Sequence, residues 1–216
     1  MNHAQNTNTN EPAPLAQTPT QPAQPQPAQP QTARKTHTTL DLAYIAIAAA
    51  IIAICSWISI PMAVPFTLQT FAVFAILLIL GGRRGTLAVL TYILLGAIGL
   101  PVFSGFNGGI GVLLGNTGGY ILGFILMGVI HIIITHFLGD RFLPQILSMT
   151  LGLLVCYTFG TAWFMFLYLR RTGTVALATV LSWCVIPFIL PDILKMALAF
   201  VVARRVKPLI KDRPRT

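Results

Sequence analysis

Chemistry in this chain has to rest on two side chains near its end. The stretch "IPFILPDILKMALAFVVARR", from Ile186 to Arg205, is apolar and long enough to cross a bilayer, yet it contains Asp192 and Lys195. A spacing of three residues sets both on one helix face. Each charge at the bilayer centre costs about 2.5 to 3.5 kcal/mol on insertion scales, so both must face the interior of a helix bundle. Two readings follow. The pair is either a buried ion pair that ties the bundle together, or a polar site. Apart from Asp41 at the very start of the first expected span, Asp192 is the only acidic residue within a span, which favours the site. A lone carboxylate beside a lone ammonium suits a ligand with N–H donors and an acidic group. If Ile186 marks the outer end, the charges lie about 9 to 13 Å below it. Pro187 and Pro191 are expected to break the helix above them.

Other polar residues gather in two stretches. "GGIGVLLGNTGGYILGF" sets Gly111, Gly115, Gly119 and Gly123 four residues apart, a pattern of close helix packing. Asn116, Thr117 and the Gly118–Gly119 pair favour a chain break instead. Irregular backbone at membrane depth survives only where it is buried in protein or lines a cavity. A loop dipping into the outer half and presenting Asn116, Thr117 and Tyr120 is therefore expected. "VPFTLQTF" adds Thr67, Gln69 and Thr70 after Pro65, with Gln69 balanced between cross-helix packing and ligand contact. Tyr92 lies deeper, in the third span. His131 and His136 fall in the other half of the fourth span and read as hydrogen-bonded scaffold. Cys55, Cys156 and Cys184 form no CxxC pair, which argues against a metal or redox motif and for small buried apolar residues.

The elements that must position these groups follow from composition. The chain is 55% hydrophobic and only 9% charged, with a mean hydropathy of +0.77, so it cannot cover a water-facing surface and belongs in the lipid bilayer. Its net charge of +9 does not point to nucleic acid, because the basic residues sit as short pairs at the ends of apolar runs without interleaved aromatics. Six spans are expected, over residues 41–60, 66–80, 86–100, 120–138, 144–167 and 186–205. The glycine-rich loop joins the third to the fourth, and a short helix against the outer face fills "RRTGTVALATVLSWCV". The fold class is thus an all-α membrane bundle, occupying residues 40–207. Residues 1–39, rich in Pro, Gln, Asn and Thr, read as a disordered tail, and residues 208–216 as a short basic one. With six spans both termini share a side. Eleven basic residues then lie together, against Arg170 and Arg171 opposite, which puts both termini in the cytoplasm.

In the first span Ala43, Ala46, Ala50 and Ala53 share a face, with Ala49 beside it. That suits either tight packing or a smooth docking surface for another membrane protein. Nothing of the form G-x-x-x-x-G-K-[ST] occurs, so no ATP-hydrolysing site is expected in this chain. Rival readings are an intramembrane enzyme pairing Asp192 with His131, and a purely structural membrane subunit.

Taken in order, "ISIPMAVPFTLQTFAV", "GGRRGTLAVLTYILLGAIGLPVF", "GGIGVLLGNTGGYILGF" and "PFILPDILKMALA" resemble the BioY family, the biotin-specific substrate-binding subunits of energy-coupling-factor (ECF) transporters. Family members usually read "GPTGGY" where this chain reads "GNTGGY", so Asn116 stands in place of a proline. The resemblance implies a bacterial cytoplasmic-membrane protein that is not an enzyme. It would carry no cofactor, and biotin would be its ligand. Biotin would bind near the outer face, with Asp192 accepting from its ureido N–H groups and Lys195 meeting one of its oxygens. Its apolar parts would rest on residues such as Trp57, Phe66 and Phe103. Partners would be a transmembrane coupling subunit, docked on Ala46, Ala50 and Ala53, and a separate pair of ATPase subunits. Ligand identity rests on the resemblance alone, and a binding subunit for another vitamin is the same-class rival.

Overall fold

Helices dominate because a backbone in hydrocarbon must satisfy its own hydrogen bonds. The computed structural model describes residue 1 and residues 35–211, so most of the two expected tails lies outside the described residues. The elements are α1 (Lys35–Trp57), β1 (Ser59–Ile60), β2 (Phe66–Thr67), α2 (Gln69–Ala97), α3 (Ile110–Leu113), α4 (Gly118–Leu138), α5 (Phe142–Thr172), α6 (Leu177–Cys184) and α7 (Ile186–Lys211). Strands β1 and β2 form a two-stranded antiparallel hairpin. A single 3-10 turn, Ser104–Phe106, lies between α2 and α3.

Five described stretches are long and apolar enough to cross a membrane, and one of them, α2, makes two crossings. Gly81 interrupts it at φ 78, ψ 171, and the Gln69 side chain donates to the Tyr92 hydroxyl at 3.1 Å. In one straight helix those residues would stand roughly 35 Å apart. The element is therefore a hairpin with arms 69–80 and 82–97, closed over Gly85, which sits against Leu77 and Ile76. Counting both arms, six spans result, as expected. The first arm rises only about 18 Å, short of the roughly 30 Å hydrocarbon thickness. The β hairpin and its loop occupy the remainder, and Gln69 begins the arm well inside the bundle.

Small residues bring α4 and α5 close. Gly119 and Gly123 face Trp163 and Cys156, while Gly152 and Gly160 face Met127 and Tyr120. For these two α4 glycines the packing reading holds; Gly111 meets nothing. On α1, Ala48, Ala49, Ile52 and Ala53 are buried, whereas Ile47, Ile51 and Ile54 are exposed along with Ala43, Ala46 and Ala50. Ala53, expected on the docking face, instead faces the bundle, because it lies one helical turn beyond Ala49 on the buried arc. The short helix expected before the last span is α6. Pro187 and Pro191 do not break α7. Pro187 lies in its first turn, where a missing N–H costs nothing, and the helix continues through Pro191.

The end opposite Gln69 is basic. Arg84 pairs with Asp41 at 2.9 Å, and Lys207 pairs with Asp140 at 2.5 Å, joining the start of α1, the α2 turn, the α4–α5 turn and the end of α7. Burial works against the Asp140 carboxylate, but hydrogen bonds from Lys207 and Gln145 outweigh it and hold this group below its ordinary value. At Gly81 the backbone lies where L side chains are strained, with open space around it. Gly81→Ala is therefore expected to lower stability by about 1–3 kcal/mol through strain alone, read as a fall in melting temperature of the detergent-solubilised protein.

Candidate functional site

Asp192 and Lys195 project from the cavity-side half of α7 and are 2% and 6% exposed. Lys195 Nζ donates to Asp192 Oδ1 at 2.8 Å, and the Tyr157 hydroxyl donates to Asp192 Oδ2 at 2.6 Å. The ammonium also lies 4.0 Å from the centre of the Phe66 ring, which itself stacks on Phe188. Burial of both charges is thus offset by mutual attraction, a neutral donor and a ring face. Lys195 has three N–H donors and Asp192 about four lone-pair directions, so both retain bonding capacity.

That capacity faces a cavity of about 870 Å³, its open mouth included. Its polar lining comes from Thr67 of β2, Gln69 and Thr70 at the start of α2, Ser104 and Asn107 of the following loop, Thr117 and Tyr120 at the start of α4, Tyr157 on α5, and the α7 pair. Phe103, Phe124, Leu153 and Phe188 supply apolar wall. A carboxylate, an ammonium and a side-chain amide lining one chamber with apolar walls can hold a ligand with a compact polar head and a hydrocarbon body.

The loop from 98 to 117 is anchored rather than loose. Ser56 donates to the Val102 carbonyl at 2.5 Å, Trp57 Nε1 to Pro101 at 2.8 Å, and Trp163 Nε1 to Gly115 at 3.0 Å. The chain turns through positive φ at Gly105, Phe106 and Gly109, and Phe103 is buried. The loop is partly helical through α3, where an irregular dip was expected.

Of the expected site residues, Asp192, Lys195, Gln69, Thr117 and Tyr120 meet at the cavity. Tyr92 stands behind it, accepting from Gln69 and touching Phe103 edge-on. Asn116 is not among the lining residues, and its Oδ1 is buried with no hydrogen-bond partner. Trp57, expected against ligand, instead stacks on Phe106 at 5.0 Å and holds the loop. Tyr157 and Phe188 were missed. The available signal was a phenol inside the apolar turn "LVCYTFG", since a buried hydroxyl needs a partner. His131 hydrogen-bonds Ser148 at 2.7 Å and lines a groove with Gly81, Arg83 and Asp140 at the basic end. Eleven residues of α4, about 16 Å, separate it from Tyr120, so it cannot pair with Asp192.

These features define a multi-pass membrane protein with an internal cavity lined by a buried ion pair. The model of the BioY family matches residues 28–212. The chain is 42% identical over 168 residues to a biotin transporter BioY of Thermotoga maritima, covering 77% of this chain and 95% of the relative. It is 39% identical over 169 residues to a probable biotin transporter BioY of Pyrococcus horikoshii, covering 77% and 96%. Its fold matches the crystal structure of the S-component for biotin from an ECF-type ABC transporter with a TM-score of 0.70, at 27% identity, over 80% of this chain and 93% of that one. The chain belongs to the BioY family.

A methyl added at Gly96 would overlap the Phe103 ring. Gly96→Ala is expected to cost about 1–3 kcal/mol by overpacking, lowering the melting temperature and displacing Phe103 from the cavity wall.

Proposed function

We propose that this chain binds biotin in the cavity between α2, α4, α5 and α7 and takes it up across the cytoplasmic membrane as the substrate-binding subunit of an ECF transporter. One observation carries the reading: an ion pair buried in a membrane bundle lines an open cavity instead of packing solidly. Membership of a family whose relatives are named biotin transporters supports the ligand. Asp192 accepts from the ureido N–H groups, and Lys195 donates to an oxygen of biotin, either its ureido carbonyl or its carboxylate. Gln69, Thr117 and Tyr120 bound the polar end. Phe103, Phe124 and Phe188 receive the thiophane ring and valeryl chain. Tyr92 and Asn116 act from behind, through Gln69 and through the loop conformation.

Transport energy comes from a separate pair of ATPase subunits through a transmembrane coupling subunit. The exposed small-residue strip at Ala46 and Ala50 is its docking surface. The basic end, with both termini, faces the cytoplasm, following the positive-inside rule, and the cavity opens away from it.

Removing one partner of a buried ion pair leaves the other charge stranded and costs about 3–5 kcal/mol of stability, so a single substitution confuses folding with binding. The double variant Asp192→Asn/Lys195→Met is expected to stay folded and to lose about 100-fold or more in biotin affinity, because hydrogen bonds to charged groups contribute about 1.5–3 kcal/mol each. Saturating biotin should raise the melting temperature of the unchanged protein, since a ligand of the folded form stabilises it, and leave that of the double variant unmoved. Near-wild-type affinity in the double variant rejects the site. Uptake of labelled biotin in cells should depend on co-expressed coupling and ATPase subunits; sustained concentrative uptake without them rejects the proposed energy source.

A further inference from the structure

Tyr157 occupies the middle of α5, where a phenol must find a polar partner inside the protein. Its partner is one oxygen of Asp192, Oδ2 at 2.6 Å, while Lys195 holds the other, Oδ1 at 2.8 Å. The two oxygens are thereby distinguished. A carboxylate turns easily about its last side-chain bond, with broad and roughly two-fold wells. Anchoring both oxygens from different helices removes that freedom. Tyr157 stands on α5 and Lys195 on α7, so the carboxylate plane is set by the gap between two spans rather than by α7 alone.

The tyrosine ring has a second position of note. The residue lines the central cavity. It also lines a separate groove, with Leu154 and Met165 of α5 and Leu177 and Leu181 of α6. Tyr157 thus borders both the cavity and an apolar groove at the surface of the bundle. Phenylalanine would keep the ring and remove only the hydroxyl.

We propose that Tyr157 is a specificity-determining positioning residue: its hydroxyl fixes the Asp192 carboxylate so that the lone pairs left free point into the cavity as acceptors. Resting on the biotin reading above, this makes a stronger claim about how the ligand is chosen. With one lone pair of Oδ2 taken by Tyr157 and one of Oδ1 by Lys195, the carboxylate presents acceptors and no donor. A ligand head that brings N–H groups satisfies them. A head of the same shape lacking an N–H leaves a buried acceptor unpaired, a penalty a binding site converts into rejection. Once the hydroxyl is removed, Asp192 turns toward Lys195, and the geometry that reads the N–H is lost.

The test compares biotin with an analogue methylated at one ureido nitrogen, on full-length protein, for the unchanged chain and Tyr157→Phe. Competition against labelled biotin on isolated membranes gives the same ratio as calorimetry on purified protein, so a poor yield of the variant does not block the measurement. Tyr157→Phe should weaken biotin binding about 10-fold or more, the effect of losing one hydrogen bond to a charged group. Analogue binding should change by less than about 3-fold, so that discrimination between the two narrows. A parallel loss for both ligands would mark a purely structural role and overturn the proposal; so would an unchanged ratio with unchanged affinities. Failure of the unchanged protein to bind biotin at all would reject the reading of the cavity, and this inference with it.

Discussion

Two opposite charges withdrawn from water into a membrane bundle govern how the rest of the molecule must be arranged. Desolvating a carboxylate and an ammonium costs several kcal/mol for each ion even after the surroundings relax. Their 2.8 Å contact recovers part of that, and the Tyr157 hydroxyl and Phe66 ring recover more. None of these partners is on α7 beyond the pair itself. The last helix therefore needs α5 on one side and the β hairpin on the other, and its register is fixed by electrostatics as much as by apolar packing.

Space for a solute arises from a shortfall in helix length. The first arm of α2 does not reach across the hydrocarbon layer, and a β hairpin with Pro61 and Pro65 in its loop fills the remainder. Glycines let α4 and α5 close together on the other side, so the void is confined near the pair instead of running down the bundle. Two tryptophans clamp the connection above it, through bonds to the Pro101 and Gly115 carbonyls. Elsewhere along the bundle aliphatic residues such as Val73, Leu77 and Val89 pack solidly and are fully buried.

At the far end the charges behave differently. Asp140 and Asp41 pair with Lys207 and Arg84 at the surface, where water screens them and each pair contributes little. Their value is positional: they gather four chain segments at one end. His131 belongs there too, tied to Ser148 inside the bundle, which separates it from the chemistry of the cavity.

Composition and hydropathy alone determined the membrane class, the span count and the importance of Asp192 and Lys195, because the cost of a charge in lipid does not depend on which helices surround it. They also placed Gln69, Thr117 and Tyr120 near one end, since chain order and span length fix depth. What lay beyond them was lateral position. Whether Ala53 turns inward, whether Trp57 lines a wall or clamps a loop, and that Tyr157 reaches Asp192 depend on which helices are neighbours and how each is rotated about its axis. Hydrophobic patterning is weak evidence for rotation when lipid and protein interior are equally apolar. Glycine-mediated contacts and cross-helix hydrogen bonds decide it, and those exist only between segments that the fold has brought together.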